Sequence, residues 1–244
     1  MEGAARNAFD CALWDLEAKQ AGKPLWQIAG LPEPKPLLTA LTVSLGDPAA
    51  MEAGAKAALA RGAKLLKLKL GGEEDDGGDM DRVAAVAKAA PGVPIIVDAN
   101  ESWDEVDIEE AAHALHKMGV VLIEQPVSAG EEELLLGIKS PVPFCADESC
   151  HTHEDLDRLD GAFQVINIKL DKAGGLTEAM MLAEKARMRG LDIMVGCMLS
   201  TSLGIAPAFA LAQKAKWVDL DGPLLLAKDR KGGATLNGGM ISLG

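Results

Sequence analysis

The chain is short of positive charge and of histidine, with 24 Lys and Arg against 37 Asp and Glu and only 4 His. The resulting net charge of −13 argues against nucleic acid or an anionic membrane surface as its partner. No apolar run reaches the length of a membrane span. The opening stretch, MEGAARNAFDCALWDLEAKQ, has neither a basic segment nor an uninterrupted apolar core, so no secretory signal is expected there. The four cysteines, Cys11, Cys145, Cys150 and Cys197, form no CxxC pair. They read as reduced thiols of a cytoplasmic protein. Cys145, Cys150, His151 and His153 fit no standard zinc knuckle spacing. A GxGxxG turn is also missing, which speaks against an open dinucleotide-binding sheet.

What is present is a rhythm. An amphipathic helix over the first 20 residues carries Phe9, Ala12, Leu13 and Leu16 at helical spacing, and LPEPKP (31–36) ends it. Eight short apolar runs follow, at 37–44, 64–70, 94–99, 120–125, 143–148, 164–170, 191–196 and 217–221. Helical patterns fill the gaps, at 48–61, 79–90, 103–118, 130–139, 152–159, 175–189 and 202–215. Strands alternating with helices imply parallel strands joined by right-handed crossovers. A closed barrel would bring the C-terminal ends of those strands to one mouth.

Polar residues stand at those ends. Asp98 in IIVDAN, Glu124 in LIEQP and Asp147 in CADES each follow an apolar run. Each alone reads equally well as a helix cap. Three together at a dry rim would repel one another, and a hard cation with oxygen ligands, Mg2+, resolves the repulsion. The stretch LLKLKLGG alternates lysine with leucine, so Lys67 and Lys69 share one strand face. If helices cover the leucines, the lysines point inward. VINIKL repeats the pattern with Lys169. A barrel sets its second and sixth strands on opposite sides, an arrangement suited to removing a proton from one face of a carbon and returning it to the other. Lys67 would help keep Lys69 competent as a base.

This ordered set resembles the enolase superfamily, in its muconate-lactonizing subgroup, and more finely the dipeptide epimerases. GCMLSTSLGIAPA (196–208) and VDLDGPLLLAKD (218–229) carry the finer match. The resemblance implies an α/β fold of the TIM-type (β/α)7β barrel class, with the family's N-terminal α+β capping domain largely absent from this chain. Residues 1–36 would be a helix and linker joining cap to barrel, 37–224 the barrel, and 225–244 a segment packing back towards the cap. It implies Mg2+ on Asp98, Glu124 and Asp147, with Lys69 and Lys169 as acid/base catalysts. Lys67 would stabilise the enolate. Asp219 and Asp221 would bind the substrate's α-ammonium, and their spacing puts both on one strand face. Thr42, Cys197, Met198 and Ser200 would shape the pocket. The activity implied is Mg-dependent epimerisation of L,L- to L,D-dipeptides by 1,1-proton transfer.

A cycloisomerase or o-succinylbenzoate synthase would share the lysines and ligands but have no use for Asp219 and Asp221. The missing histidine near Gly196 speaks against the acid-sugar dehydratases. A Schiff-base aldolase would use one lysine as nucleophile, and a barrel that only binds ligand would exchange no α-proton. The expected partner is a small dipeptide, with no nucleic acid and no membrane, and homo-oligomer formation is left open. His113 and His116 read as surface residues, and His151 and His153 as structural or solvated. The acidic loop Gly71–Asp79 reads as solvated and mobile.

Overall fold

The computed structural model describes residues 3–71 and 78–243. The expectation for the acidic loop falls mostly on 72–77, outside the described residues. The strands are β1 (Leu37–Leu38), β2 (Leu41–Val43), β3 (Leu66–Lys69), β4 (Ile95–Asp98), β5 (Val120–Glu124) and β6 (Phe144–Ala146). After them come β7 (Val165–Ile168), β8 (Asp192–Gly196), β9 (Trp217–Asp219), β10 (Thr235–Asn237) and β11 (Met240–Ser242). The helices are α1 (Ala4–Ala21), α2 (Leu25–Ile28), α3 (Pro48–Ala60), α4 (Asp79–Ala89) and α5 (Ile108–Lys117). The later ones are α6 (Leu156–Leu159), α7 (Leu170–Ala173), α8 (Leu176–Met188) and α9 (Ser202–Ala212). Sheet order from β2 to β9 follows chain order, the signature of a (β/α)7β topology. None of the described helices is long and apolar enough to cross a membrane.

Contacts group the chain into two compact units. One comprises Ala40–Ser149 with Asp157–Val165. Its strands are buried on both faces. Leu66, Leu68, Ile95, Val97 and Ile123 are fully covered, as are Met51, Ala55, Val83, Val86 and Leu115 on the helices. The leucines of β3 thus stay out of water, and Lys67 on the opposite face is also buried. Caps set the helix starts. Asp47 accepts from Ala50 N at 2.7 Å with Pro48 in the first turn, and Asp107 accepts from Glu110 N at 3.0 Å. That cap starts α5 at Ile108 rather than at 103. The helix expected over 130–139 shrinks to a 3-10 turn at Glu132–Leu135, bracketed by Gly130 and Gly137 with φ of 103° and 81°.

The second unit holds the residues up to Thr39, Cys150–Leu156, and those from Ile166 onward. The run expected as one strand over 37–44 divides between the two units. Leu37 and Leu38 pair antiparallel with Ile241 and Met240, and only Leu41–Val43 joins the parallel sheet. Helix α1 spans the expected residues, but its apolar stripe does not pack. Phe9, Leu13 and Leu16 are 66%, 50% and 50% exposed. The helix docks by its polar edge instead. Asn7 Nδ2 donates to Asp171 Oδ1 at 3.1 Å, and Trp14 Nε1 donates to Thr177 Oγ1 at 2.9 Å. Asp10 takes Thr177 N at 3.0 Å and its hydroxyl at 2.6 Å. The N-cap residue of α8, Gly175, supplies no side-chain cap, so Asp10 caps that helix from α1. Gly175 must be glycine: its φ is 126°, and a Cβ there would strike the Asp10 side chain.

Candidate metal centre and flanking lysines

The carboxylates are brought together by strand register. Lys69 pairs with Asp98 across β3–β4, Asp98 with Glu124 across β4–β5, and Glu124 with Cys145 across β5–β6. Thr42 and Lys67 form the neighbouring pair. One irregularity makes this row. Ile95 faces Val120 but Ile96 faces Leu122, so β5 carries one extra residue at Val121. Without that bulge Asp98 would face Ile123, and Glu124 would turn to the helix side. The bulge re-aims a carboxylate.

Asp98, Glu124 and Asp147 offer oxygen atoms that all lie within 4.8 Å of one another, and all three residues are buried. Lys67 Nζ stands 3.1 Å from Asp98 Oδ2 and 2.7 Å from Glu124 Oε2, while Lys69 Nζ stands 2.5 Å from Asp98 Oδ2. Burial raises the Asp98 pKa, but the ammoniums of Lys67 and Lys69 outweigh that and hold it below the usual carboxylate range. Three carboxylates against two ammoniums leave a net negative charge in a dry place. Oxygen-only, anionic donors fit a hard divalent cation such as Mg2+, and among the described residues no histidine or cysteine joins the set to favour zinc.

The surrounding loops are tightly built. Asp79 accepts from Gly71 N at 3.1 Å, from Trp103 Nε1 at 2.8 Å and from the buried Arg82 Nη1 at 3.0 Å. Arg82 Nε also donates to Gly46 O at 2.9 Å, so one ion pair ties the loop after β2 to the loop after β3. Asn100, Glu101 and Gln125 have φ of 45°, 66° and 37°, left-handed backbone immediately beyond two of the carboxylates. Their sequence carries no glycine to announce it.

In the second unit Lys169 follows β7 as the residue that opens α7 and is largely buried, with Asn167 fully buried two residues before it. Asp219 ends β9 in register with Gly196. Asp221 does not continue the strand. It takes helical backbone, φ −82° and ψ −4°, and starts a 3-10 turn, because Pro223 in GPLL favours the turn over extension. Both carboxylates are buried, but the expectation of a shared strand face fails. Of the loop after β8, Met198 is exposed and Cys197 and Ser200 are half-buried. His153 is structural: its Nδ1 lies 2.6 Å from Glu178 Oε1, which also accepts from its backbone N–H.

Comparison with known proteins agrees with this architecture. The family model of the enolase C-terminal domain-like fold matches residues 50–241, and that of the mandelate racemase/muconate lactonizing enzyme N-terminal domain matches residues 1–30. The chain belongs to the enolase superfamily. An N-acetyl-D-glutamate racemase of a Pseudoalteromonas species is 51% identical over 98% of this chain and 74% of its own length. An L-Ala-D/L-Glu epimerase of Escherichia coli strain K12 is 45% identical over 93% of this chain and 70% of its own. A dipeptide epimerase from Cytophaga hutchinsonii, solved with Mg and D-Ala-L-Val, superimposes with a TM-score of 0.90 at 31% identity. That superposition spans 98% of this chain and 67% of the other. The fold class is therefore the superfamily's TIM-type α/β barrel domain.

Gln125, Asp79 with Arg82, and Asp10 are the residues that sequence reasoning passed over. Gln125 stood in plain view in LIEQP, one step off the face that carries Glu124.

Proposed function

We propose that this chain is a Mg2+-dependent epimerase of dipeptides, working by 1,1-proton transfer. The observation that carries the reading is the buried Asp98–Glu124–Asp147 group with two lysine ammoniums against it. Relatives named as epimerases and racemases of amino acid derivatives support it.

Asp98, Glu124 and Asp147 would hold the cation, which when bound supplies Lewis-acid stabilisation of a carboxylate losing its α-proton. Lys69 and Lys169 move the proton, one serving each epimer, so that removal by one and return by the other inverts the α-carbon. Lys67, kept charged between Asp98 and Glu124, stabilises the negative charge that builds on the substrate's carboxylate oxygens. Asp98 binds the Lys69 ammonium at 2.5 Å and so holds its amine end beside the row of carboxylates. Asp219 and Asp221 recognise a free α-ammonium. On this reading Thr42, Cys197, Met198 and Ser200 also contact the substrate.

A second reading is racemisation of an N-acylated amino acid, favoured by the 51% identical N-acetyl-D-glutamate racemase. Asp219 and Asp221 would then have no ammonium to bind. The test is proton exchange in deuterium oxide with Mg2+, followed by NMR of the α-proton. L-Ala-L-Glu, L-Ala-D-Glu and both N-acetylglutamate enantiomers are compared. Dipeptide exchange that is lost in Lys69→Ala for one epimer and in Lys169→Ala for the other supports the reading. Exchange that survives the double variant sinks it.

A further inference from the structure

Gln125 follows Glu124 directly and is fully buried. A primary amide carries two donor hydrogens and an acceptor oxygen, and any left unmet in a dry interior is costly. Here all are used. Its Oε1 accepts from Asp147 N at 2.8 Å and from Ser149 N at 3.1 Å. Its Nε2 donates to Val127 O and to Ser149 Oγ, both at 2.8 Å. The backbone is equally engaged: Gln125 N donates to Cys145 O at 2.8 Å, and Gln125 O accepts from Glu101 N at 2.9 Å. One residue therefore touches the continuation of all three ligand-bearing strands. It does so in left-handed backbone, φ 37°, where a residue with a Cβ is strained. An apolar side chain would fill the same space without any of these obligations, and a buried polar group so fully met rigidifies what it bonds.

We propose that Gln125 is a positioning residue for the cation, its Oε1 fixing the Asp147 backbone so that this carboxylate meets Glu124 and Asp98 in a preset spacing. The inference rests on the metal reading of the site given above. The amide never touches the cation. It sets where the third ligand starts, directly after β6 ends at Ala146.

The test is calorimetric titration of the full chain with MgCl2, with folding checked by circular dichroism, which reads metal affinity without any turnover. Gln125→Met removes the acceptor, and Gln125→Asn withdraws it by one methylene. Both are expected to weaken Mg2+ binding by about 10- to 100-fold. Gln125→Glu keeps an acceptor oxygen for Asp147 N and Ser149 N in the same place. It should stay within about threefold of the parent. A folded Met or Asn variant that binds Mg2+ as the parent does overturns the proposal. So does a Glu variant that loses as much as the Met variant. If Met and Asn do not fold, Ser149→Ala decides: it removes the hydroxyl that holds the Gln125 amide, and Mg2+ binding unchanged from the parent overturns the proposal. Glu124→Gln is the reference for the metal reading itself. If the parent takes up no Mg2+, or Glu124→Gln binds it equally, that reading fails and this inference falls with it.

Discussion

Lys67 Nζ sits between two buried carboxylates, 2.7 Å from Glu124 Oε2 and 3.1 Å from Asp98 Oδ2. Lys67→Met would leave both anions with less compensation. In chelator-treated protein this costs about 3–5 kcal/mol of stability, the usual penalty for removing one partner of a buried ion pair. Saturating Mg2+ should restore part of it by neutralising the same carboxylates. Urea unfolding with and without the metal measures both. An equal loss under the two conditions would show that the lysine and the cation do not share a charge.

Metal binding itself should stabilise the parent. At a Mg2+ concentration of about 100 times Kd, linkage gives about 2.7 kcal/mol, lost on adding EDTA and regained on adding the ion. Thermal melts read this directly. Glu124→Gln should abolish the shift.

Asp219→Asn and Asp221→Asn separate the two substrate readings. Loss of a charge-assisted contact to an α-ammonium lowers kcat/KM for a free dipeptide by about 10- to 100-fold. N-acetylglutamate, which lacks that charge, should be turned over as before. Equal falls on both substrates would mean that the pair supports the fold rather than reads the ammonium.

Two substitutions on α1 tell which edge of the helix is docked. Asp10→Ala removes the external cap of α8 and should cost about 1 kcal/mol in denaturant unfolding. Leu13→Ala on the exposed stripe should change stability by no more than about 0.5 kcal/mol. A larger effect at Leu13 than at Asp10 would reverse the assignment.

The Asp229 carboxylate accepts from the Ser202 hydroxyl, from Arg230 N at 2.7 Å and from Ser202 N at 3.1 Å. The Ser202 hydroxyl contributes most, and together these bonds hold its pKa below 3.8 in the folded state. A depressed carboxylate adds stability above its unfolded pKa, near 3.8, and gives it up as pH falls through the lower folded value. Melting temperatures taken from about pH 5 to about pH 2 should fall more steeply in the parent than in Asp229→Asn. Parallel curves would remove Asp229 from the acid transition.

The strands and the carboxylate row were legible in the sequence because each acid ends a short apolar run, and burial of such runs forces their polar neighbours to the rim. The burial of Lys67 was legible for the same reason: Leu66 and Leu68 take the other face of β3. What stayed hidden depends on pairing rather than pattern. Nothing in VVLIE marks Val121 as the bulged residue, since a bulge is a property of two strands in register. The docking edge of α1 stayed hidden for a related reason. Helical spacing reports an apolar face but not what meets it, and here the polar edge with Asn7, Asp10 and Trp14 makes the contacts. Asp221 left its expected strand because a local turn preference overrode the i, i+2 rule.

The three left-handed residues at Asn100, Glu101 and Gln125 bear on how the protein could be improved. An engineer seeking a hardier catalyst would place glycine at such positions first, because each promises relief of about 1–3 kcal/mol of backbone strain. At this site the gain would be self-defeating. At Gln125 a glycine would delete the side chain that bonds the Asp147 backbone, and at Asn100 it would loosen the turn whose N–H bonds Asp98, so heat resistance won there would be traded against the order of the carboxylate row. Thermostabilising libraries would do better to vary the outer helices and leave this rim alone.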